Sequence, residues 1–186
     1  RFRMLPMTDG RFRTLVELAD GGEVVSFQDY FVRLRHGVSV ASVRFDHEGA
    51  DLTPGALDAI ESAERVVIAP SNPLVSIGPI RALPSTDPLL ARHRDRIVAV
   101  SPIVGGAALK GPADRMLAEL GLESSVVGVA RLYAPVAGTL VIDEVDAHLA
   151  RAVEATGVRC IVTSTVMSTP SIGQALARTC LAAQRT

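Results

Sequence analysis

The side chains best suited to chemistry fall in two short stretches. In one of them, Gly105-Gly106-Ala107-Ala108-Leu109-Lys110-Gly111-Pro112, Lys110 is the sole lysine of a chain whose other basic residues are all arginine. Lysine carries a compact, strongly hydrated ammonium on a flexible stem, whereas arginine presents a planar fork. Phosphate is the natural partner. Gly105, Gly106 and Gly111 let the backbone approach a ligand closely, and a helix opening at Pro112 would turn free amides toward it. The other stretch, Pro70-Ser71-Asn72-Pro73-Leu74-Val75-Ser76-Ile77-Gly78, supplies small hydroxyl and amide groups. Ser71, Asn72 and Ser76, with the Gly105-Gly106 backbone, are read as holding a nucleotide or its phosphates, and Asn72 is expected to matter most. A competing reading of Lys110, an exposed lysine in an ordinary surface turn, stays open.

Both stretches leave the ends of continuous apolar runs, at 66–69 and 97–100. Uninterrupted runs of this kind suit strands buried on both faces of a parallel sheet, and strands at 139–142 and 158–162, each also leading into a polar exit, complete a predicted set of four. Ligands of open α/β sheets bind outside the carboxyl ends of the strands, so the four polar exits are expected to share one edge. Helices are predicted from Thr53-Pro54, over 78–83 and 88–93, from Pro112 to a stop at Gly121, and from Ser124-Ser125 to Tyr133. Two more run through His148, Leu149 and Val153, and over 171–183.

The first fifty residues read differently. Residues 11–18, a turn at Asp20-Gly21-Gly22 and residues 23–27 form a predicted hairpin, and 38–45 a further strand. Residues 28–33 fit strand or helix. Phe12, Phe27, Tyr30 and Phe31 either pack this small sheet or wall a planar ligand. The expected fold is α/β: a doubly wound, mostly parallel, Rossmann-like sheet in 51–186, with a β-rich, antiparallel and aromatic appendage in 1–50 that belongs to the same ligand-binding unit.

The 186 residues, 48% hydrophobic, suffice for a sizeable core. A formal charge of -1 without basic runs argues against a nucleic-acid footprint. The chain contains no membrane-span-length apolar run and no signal-peptide core at its first residues, so a cytoplasmic protein that does not bind membranes is expected. Cys160 and Cys180 lack metal-ligand spacing and read as buried free thiols. His36, His47, His93 and His148 are scattered in polar surroundings and read as solvated. Asp143, Glu144 and Asp146 invite a hard-cation reading, although acidic residues between a strand and a helix are commonly caps, so no metal ligand is assigned. No nucleophile elbow, Walker loop or cysteine nucleophile motif is present.

The run from Ala69-Pro70-Ser71-Asn72-Pro73 to Gly78-Pro79-Ile80, then Ser101-Pro102-Ile103-Val104-Gly105-Gly106 and Leu109-Lys110-Gly111-Pro112-Ala113-Asp114, closely resembles the signature of the CofD family, the 2-phospho-L-lactate transferases. Phe27-Gln28-Asp29-Tyr30-Phe31-Val32-Arg33 is similar to that family's aromatic segment, and Val162-Thr163-Ser164-Thr165-Val166-Met167 to its closing strand and loop. The resemblance implies transfer of a phospholactyl or phosphoenolpyruvyl group from a guanosine-diphosphate ester to the deazaflavin alcohol Fo. GMP leaves, Mg²⁺ assists, and the product is the precursor of coenzyme F-420. Lys110 is then the candidate catalytic residue. Ser71, Asn72, Pro73, Ser76, Ile77, Gly78, Ser101, Pro102, Gly105, Gly106 and Gln28 are the candidate substrate-binding residues. The family's opening strand, Gly-rich loop and acidic, metal-holding segment do not precede Arg1, so the chain resembles the C-terminal part of such an enzyme and its Mg²⁺ ligands are expected outside it. A second copy of the chain is a candidate partner. A non-catalytic nucleotide or nucleotide-sugar binding module of the same fold remains the alternative.

Overall fold

A computed structural model describes residues 3–183. Three of the predicted N-terminal segments form an antiparallel sheet. β1 (Arg13–Leu18) lies between β2 (Val24–Ser26) and β3 (Val40–Asp46). Its inner face buries Val16, Leu18, Val25 and Val40, which pack with Tyr30, Val75 and Met116 in one cluster. The segment left open between strand and helix, Asp29–Arg33, is one wide helical turn. It puts the buried Tyr30 on the sheet and leaves Phe31 at the surface.

α1 (Pro54–Ser62) starts as predicted, with the Thr53 hydroxyl accepting from the Ala56 amide at 3.1 Å and proline at the first helical position. It leads into β4 (Val66–Ile68). α2 (Gly78–Arg81) and α3 (Thr86–Arg92) then precede β5 (Ile97–Val100). After β5 the chain makes a minute hairpin, β6 (Ile103–Val104) and β7 (Ala107–Ala108). It turns over Gly105 and Gly106, which sit at φ of 60° and 80°. Both central residues lie in the left-handed region that a two-residue hairpin turn requires, and glycine enters it without a Cβ penalty. α4 (Ala113–Glu119) and α5 (Val126–Tyr133) follow, then β8 (Thr139–Ile142), a short tight helical stretch (Glu144–Leu149), α6 (Ala150–Glu154), β9 (Arg159–Val162) and α7 (Pro170–Ala182).

The four strands β4, β5, β8 and β9 pair in that order, all parallel. One face, carrying Ile97, Ala99, Leu140 and Ile142, packs against α3, α4, α5 and α6 through Leu90, Leu117, Val126, Val129, Ala130 and Val153. The opposite face, carrying Val98, Val100 and Val141, is covered by Leu176 and Cys180 of α7. Helices on both faces explain why the central strand β5 reads as an unbroken apolar run and is buried throughout. Among the described residues the strand order advances in one direction without reversal. The α/β class, the parallel sheet and the antiparallel appendage are therefore seen, whereas a doubly wound, Rossmann-like order goes beyond what these four strands display.

Some expectations need correction. His36 and His47 are only partly solvated: the His36 ring centre lies 5.2 Å from that of Phe31, and His47 stacks 6.4 Å from Phe12, both half-buried. Polar neighbours in sequence did not predict aromatic neighbours in space. Cys180 is a buried free thiol, but Cys160 is only half-buried, with its pKa pushed up to about 11 by desolvation and then by Glu154. No helix among the described residues is long and apolar enough to cross a membrane.

Candidate active site

Strand direction delivers the chemistry-bearing stretches to one edge, where a cleft of about 710 Å³ opens. Its walls come from the exits of β4 (Pro70, Ser71, Asn72, Ser76), β5 (Ser101, Pro102, Val104) and β9 (Thr165, Val166, Met167, Ser168). The 109–113 segment and the aromatic residues Phe27 and Phe31 complete it.

The first exit is not a loop throughout. Pro73–Ile77 forms one wide helical turn capped by Asn72, whose Oδ1 accepts from the Leu74 amide at 2.9 Å and the Val75 amide at 3.3 Å. Proline fixes the first φ of the turn, so a segment that reads as polar loop by composition folds as helix by capping. The Asn72 amide nitrogen lies 3.7 Å from the Met116 sulfur, a weak acceptor. Asn72, which lines the cleft, thus shapes its wall with the side-chain oxygen. Ser71 and Ser76 line the cleft, and among the described residues their hydroxyls have no protein partner. Ser101 is buried and its hydroxyl is internally satisfied, donating to the Ile103 carbonyl at 2.9 Å and accepting from the Ile103 amide at 3.1 Å. Lys110 is exposed on the cleft wall, and among the described residues no carboxylate pairs with it. An unpaired ammonium and unpaired hydroxyls lining one cleft favour a bound anion.

Other candidates stand outside the wall. Pro73 is buried beneath it, and Ile77 packs on the main core. A Cβ at Gly78 would meet the Phe45 ring at 3.0 Å and the Pro73 carbonyl oxygen at 3.2 Å, so close packing explains this glycine. Gln28 is exposed at the start of the aromatic turn, without a capping hydrogen bond. Gly105 and Gly106 form the hairpin turn instead of the cleft wall, and the Gly105 amide already donates to Asp146 at 2.9 Å. The structure thus brings Ser71, Asn72, Ser76, Ser101, Pro102 and Lys110 together, and sets the other six apart from them.

The carboxylates after β8 act as staples between strand exits. Asp143, 7% exposed, accepts from the Thr165 amide at 2.7 Å, the Thr165 hydroxyl at 3.0 Å and the Val145 amide at 3.2 Å. Burial works to raise its pKa. The hydrogen bonds from Thr165, Val145 and Val166 together outweigh burial and hold the carboxyl below its ordinary value. Asp146, 2% exposed, ties the β6–β7 turn to the same exit through Gly105. Both acids are committed to amides, and the described residues contain no cluster of three potential metal ligands. These residues do not fit a Mg²⁺ ion.

Thr165, Val166, Met167 and Ser168 were not among the residues assigned to the site, although the polar exit of the fourth apolar run was signal enough to include them. The capping role expected of acids at this strand exit is seen at Asp143, but the links from Asp143 and Asp146 to the other exits had no such signal, because those partners lie 22 and 41 residues away.

Comparison with known proteins gives this cleft its context. A phosphoenolpyruvate transferase of Streptomyces griseus is 42% identical over 185 residues, covering 96% of this chain and 58% of that protein. A 2-phospho-L-lactate transferase of Methanococcoides burtonii is 38% identical over 177 residues, covering 94% of this chain and 56% of that protein. The chain therefore spans somewhat more than half the length of these curated relatives. A crystal structure of a Bacillus halodurans protein superposes with a TM-score of 0.63 at 17% identity, over 95% of this chain and 61% of that one, a likeness of fold. Residues 1–166 match the family described as 2-phospho-L-lactate transferase CofD, and with nearly its whole length matched the chain belongs to that family.

Proposed function

We propose that this chain supplies the donor and acceptor cleft of a transferase in coenzyme F-420 biosynthesis. The enzyme moves a phospholactyl or phosphoenolpyruvyl group from a guanosine-diphosphate ester to the deazaflavin alcohol Fo. The observation that carries the reading is the composition of one cleft: the lone Lys110 and the free hydroxyls of Ser71 and Ser76 share it with the rings of Phe27 and Phe31. A diphosphate ester needs the first set and a planar heterocycle the second. The names of the relatives support both donor acids.

In this reading Lys110 meets the diphosphate charge, and Ser71, Ser76 and the Asn72 amide orient the donor. The acceptor hydroxyl oxygen forms a bond to the phosphorus that carries the organic acid. The bridging P–O bond breaks, GMP leaves with its electron pair, and the hydroxyl proton passes to solvent. Catalysis of this kind is positioning plus charge stabilisation, which suits a wall of fixed small donors and one mobile ammonium. The chain's 1–50 and 51–186 parts then act as one ligand-binding unit in a cytoplasmic enzyme, as a single copy or as a homodimer. The doubly wound order would be completed by the part of the longer relatives that this chain does not span.

The test is a turnover assay of the complete natural protein with Fo and each guanosine-diphosphate ester, with and without Mg²⁺, following GMP release. Formation of the phosphodiester product with at least one donor is expected. Tight binding of a UDP-sugar, without turnover of either ester, would overturn the reading in favour of a nucleotide-sugar binding module.

A further inference from the structure

We propose that Arg115 is a positioning residue that holds the aromatic wall of the cleft in register with the Lys110 segment, and so sets affinity for the planar substrate. The proposal rests on the transferase reading above. Arg115 sits on α4, five residues beyond Lys110, and reaches across to the appendage. Its Nη2 donates to the Tyr30 hydroxyl at 2.8 Å and to the His36 carbonyl oxygen. Its Nε lies 3.2 Å from Oε1 of Glu119, one helical turn on. Glu119 in turn accepts from the Val40 amide, at the start of β3, at 2.9 Å. Two side chains of one short helix therefore fasten the 30–40 segment at Tyr30, His36 and Val40.

The fastened segment is one that would not hold its shape unaided. Arg35 and His36 adopt φ of 50° and 45°, consecutive non-glycine residues in the left-handed region. Side chains with a Cβ occupy that region when surrounding contacts impose it. The imposed turn has a consequence at the cleft. It places the His36 ring 5.2 Å from Phe31, whose ring lies 5.6 Å from Phe27, and these two phenylalanines are the cleft's aromatic wall. Phe31 is 40% exposed, so it has little core packing of its own to fix it. Burial raises the pKa of Tyr30, against the opposing hydrogen bond and charge of Arg115, which keeps the phenol neutral as a partner.

The test uses the complete natural protein and three variants: Arg115→Gln, Arg115→Lys, and Arg115→Gln combined with Arg35→Gly, which removes the left-handed strain at an exposed position. Fo binding is read by deazaflavin fluorescence, GDP binding by calorimetry, and backbone mobility by hydrogen exchange over residues 27–37. Arg115→Gln should weaken Fo binding about tenfold, the scale of one lost charge-assisted hydrogen bond, and leave GDP affinity unchanged. Exchange over 27–37 should rise in parallel. Lysine, a point charge without the fork, should restore little, whereas Arg35→Gly should recover part of the lost affinity. An equal loss of Fo and GDP affinity, or a lowered melting temperature with Fo affinity intact, would overturn the proposal. If the unaltered protein binds GDP but not Fo, the transferase reading fails. Exchange over 27–37 then still decides whether Arg115 holds the segment, and an unchanged rate in Arg115→Gln refutes it.

Discussion

Replacing Asp143 with Asn tests the claim that buried carboxylates hold the cleft's strand exits together. The carboxylate receives two bonds from Thr165 and one from the Val145 amide, at 2.7, 3.0 and 3.2 Å, while only 7% exposed. Asparagine keeps one acceptor oxygen. Turned toward Thr165, it preserves two bonds without their charge and sets an NH₂ against the Val145 amide. Bonds to a charged group contribute about 1.5 to 3 kcal/mol against about 1 for neutral ones, so two such losses and one lost cap total roughly 3 kcal/mol. For a chain of this size that lowers Tm by about 6 to 12 °C. The pH dependence has a definite sign. The folded pKa lies below the ordinary 3.8, so the stabilisation by Asp143 is complete above the unfolded value and is lost as pH falls through the folded one. Thermal melts of the natural protein and of Asp143→Asn should therefore differ fully at pH 7, with the gap narrowing below about pH 4 as the native carboxyl protonates. A gap under about 2 °C at pH 7 would refute the staple, as would a gap that does not change with acid.

Asn72→Asp keeps the oxygen that accepts from Leu74 and Val75 while placing a negative charge in the cleft. Calorimetry should show GDP affinity falling by about 1 to 3 kcal/mol with little change in Tm, whereas Asn72→Ala should lower both. Gly128→Ala in α5 should destabilise by about 1 to 3 kcal/mol in urea titrations, because the added Cβ would collide with the Glu123 carbonyl oxygen.

The sequence announced the sheet because its signal is local. Four strand-like runs, each leading into a polar exit, became β4, β5, β8 and β9, and the caps at Thr53 and Ser125 started helices where expected, whereas the last helix starts at Pro170 behind a Thr169 cap that the expected start at 171 does not include. Shorter devices were less legible. The β6–β7 hairpin has two residues per strand, too few for an alternation to show, and its Gly-Gly turn was read as a phosphate cradle. The Pro73–Ile77 turn was hidden behind two prolines and two serines that resemble loop composition. Lys110, Ser71 and Ser76 could be picked out by type, since rarity and small polar character are visible in one dimension. The links from Asp143 to Thr165, from Asp146 to Gly105 and from Arg115 to Tyr30 span 22, 41 and 85 residues and exist only once the sheet has closed.

The most direct test of the central claim is Lys110→Met in the complete natural protein, measured for ligand-free melting, donor affinity and turnover together. Lys110 is exposed and, among the described residues, without an ionic partner, so Tm should stay within about 2 °C. Donor affinity or turnover should fall by about 1.5 to 3 kcal/mol, roughly 10- to 150-fold. A lowered Tm with donor affinity and turnover intact would contradict the account, and would make Lys110 a lysine of an ordinary surface turn.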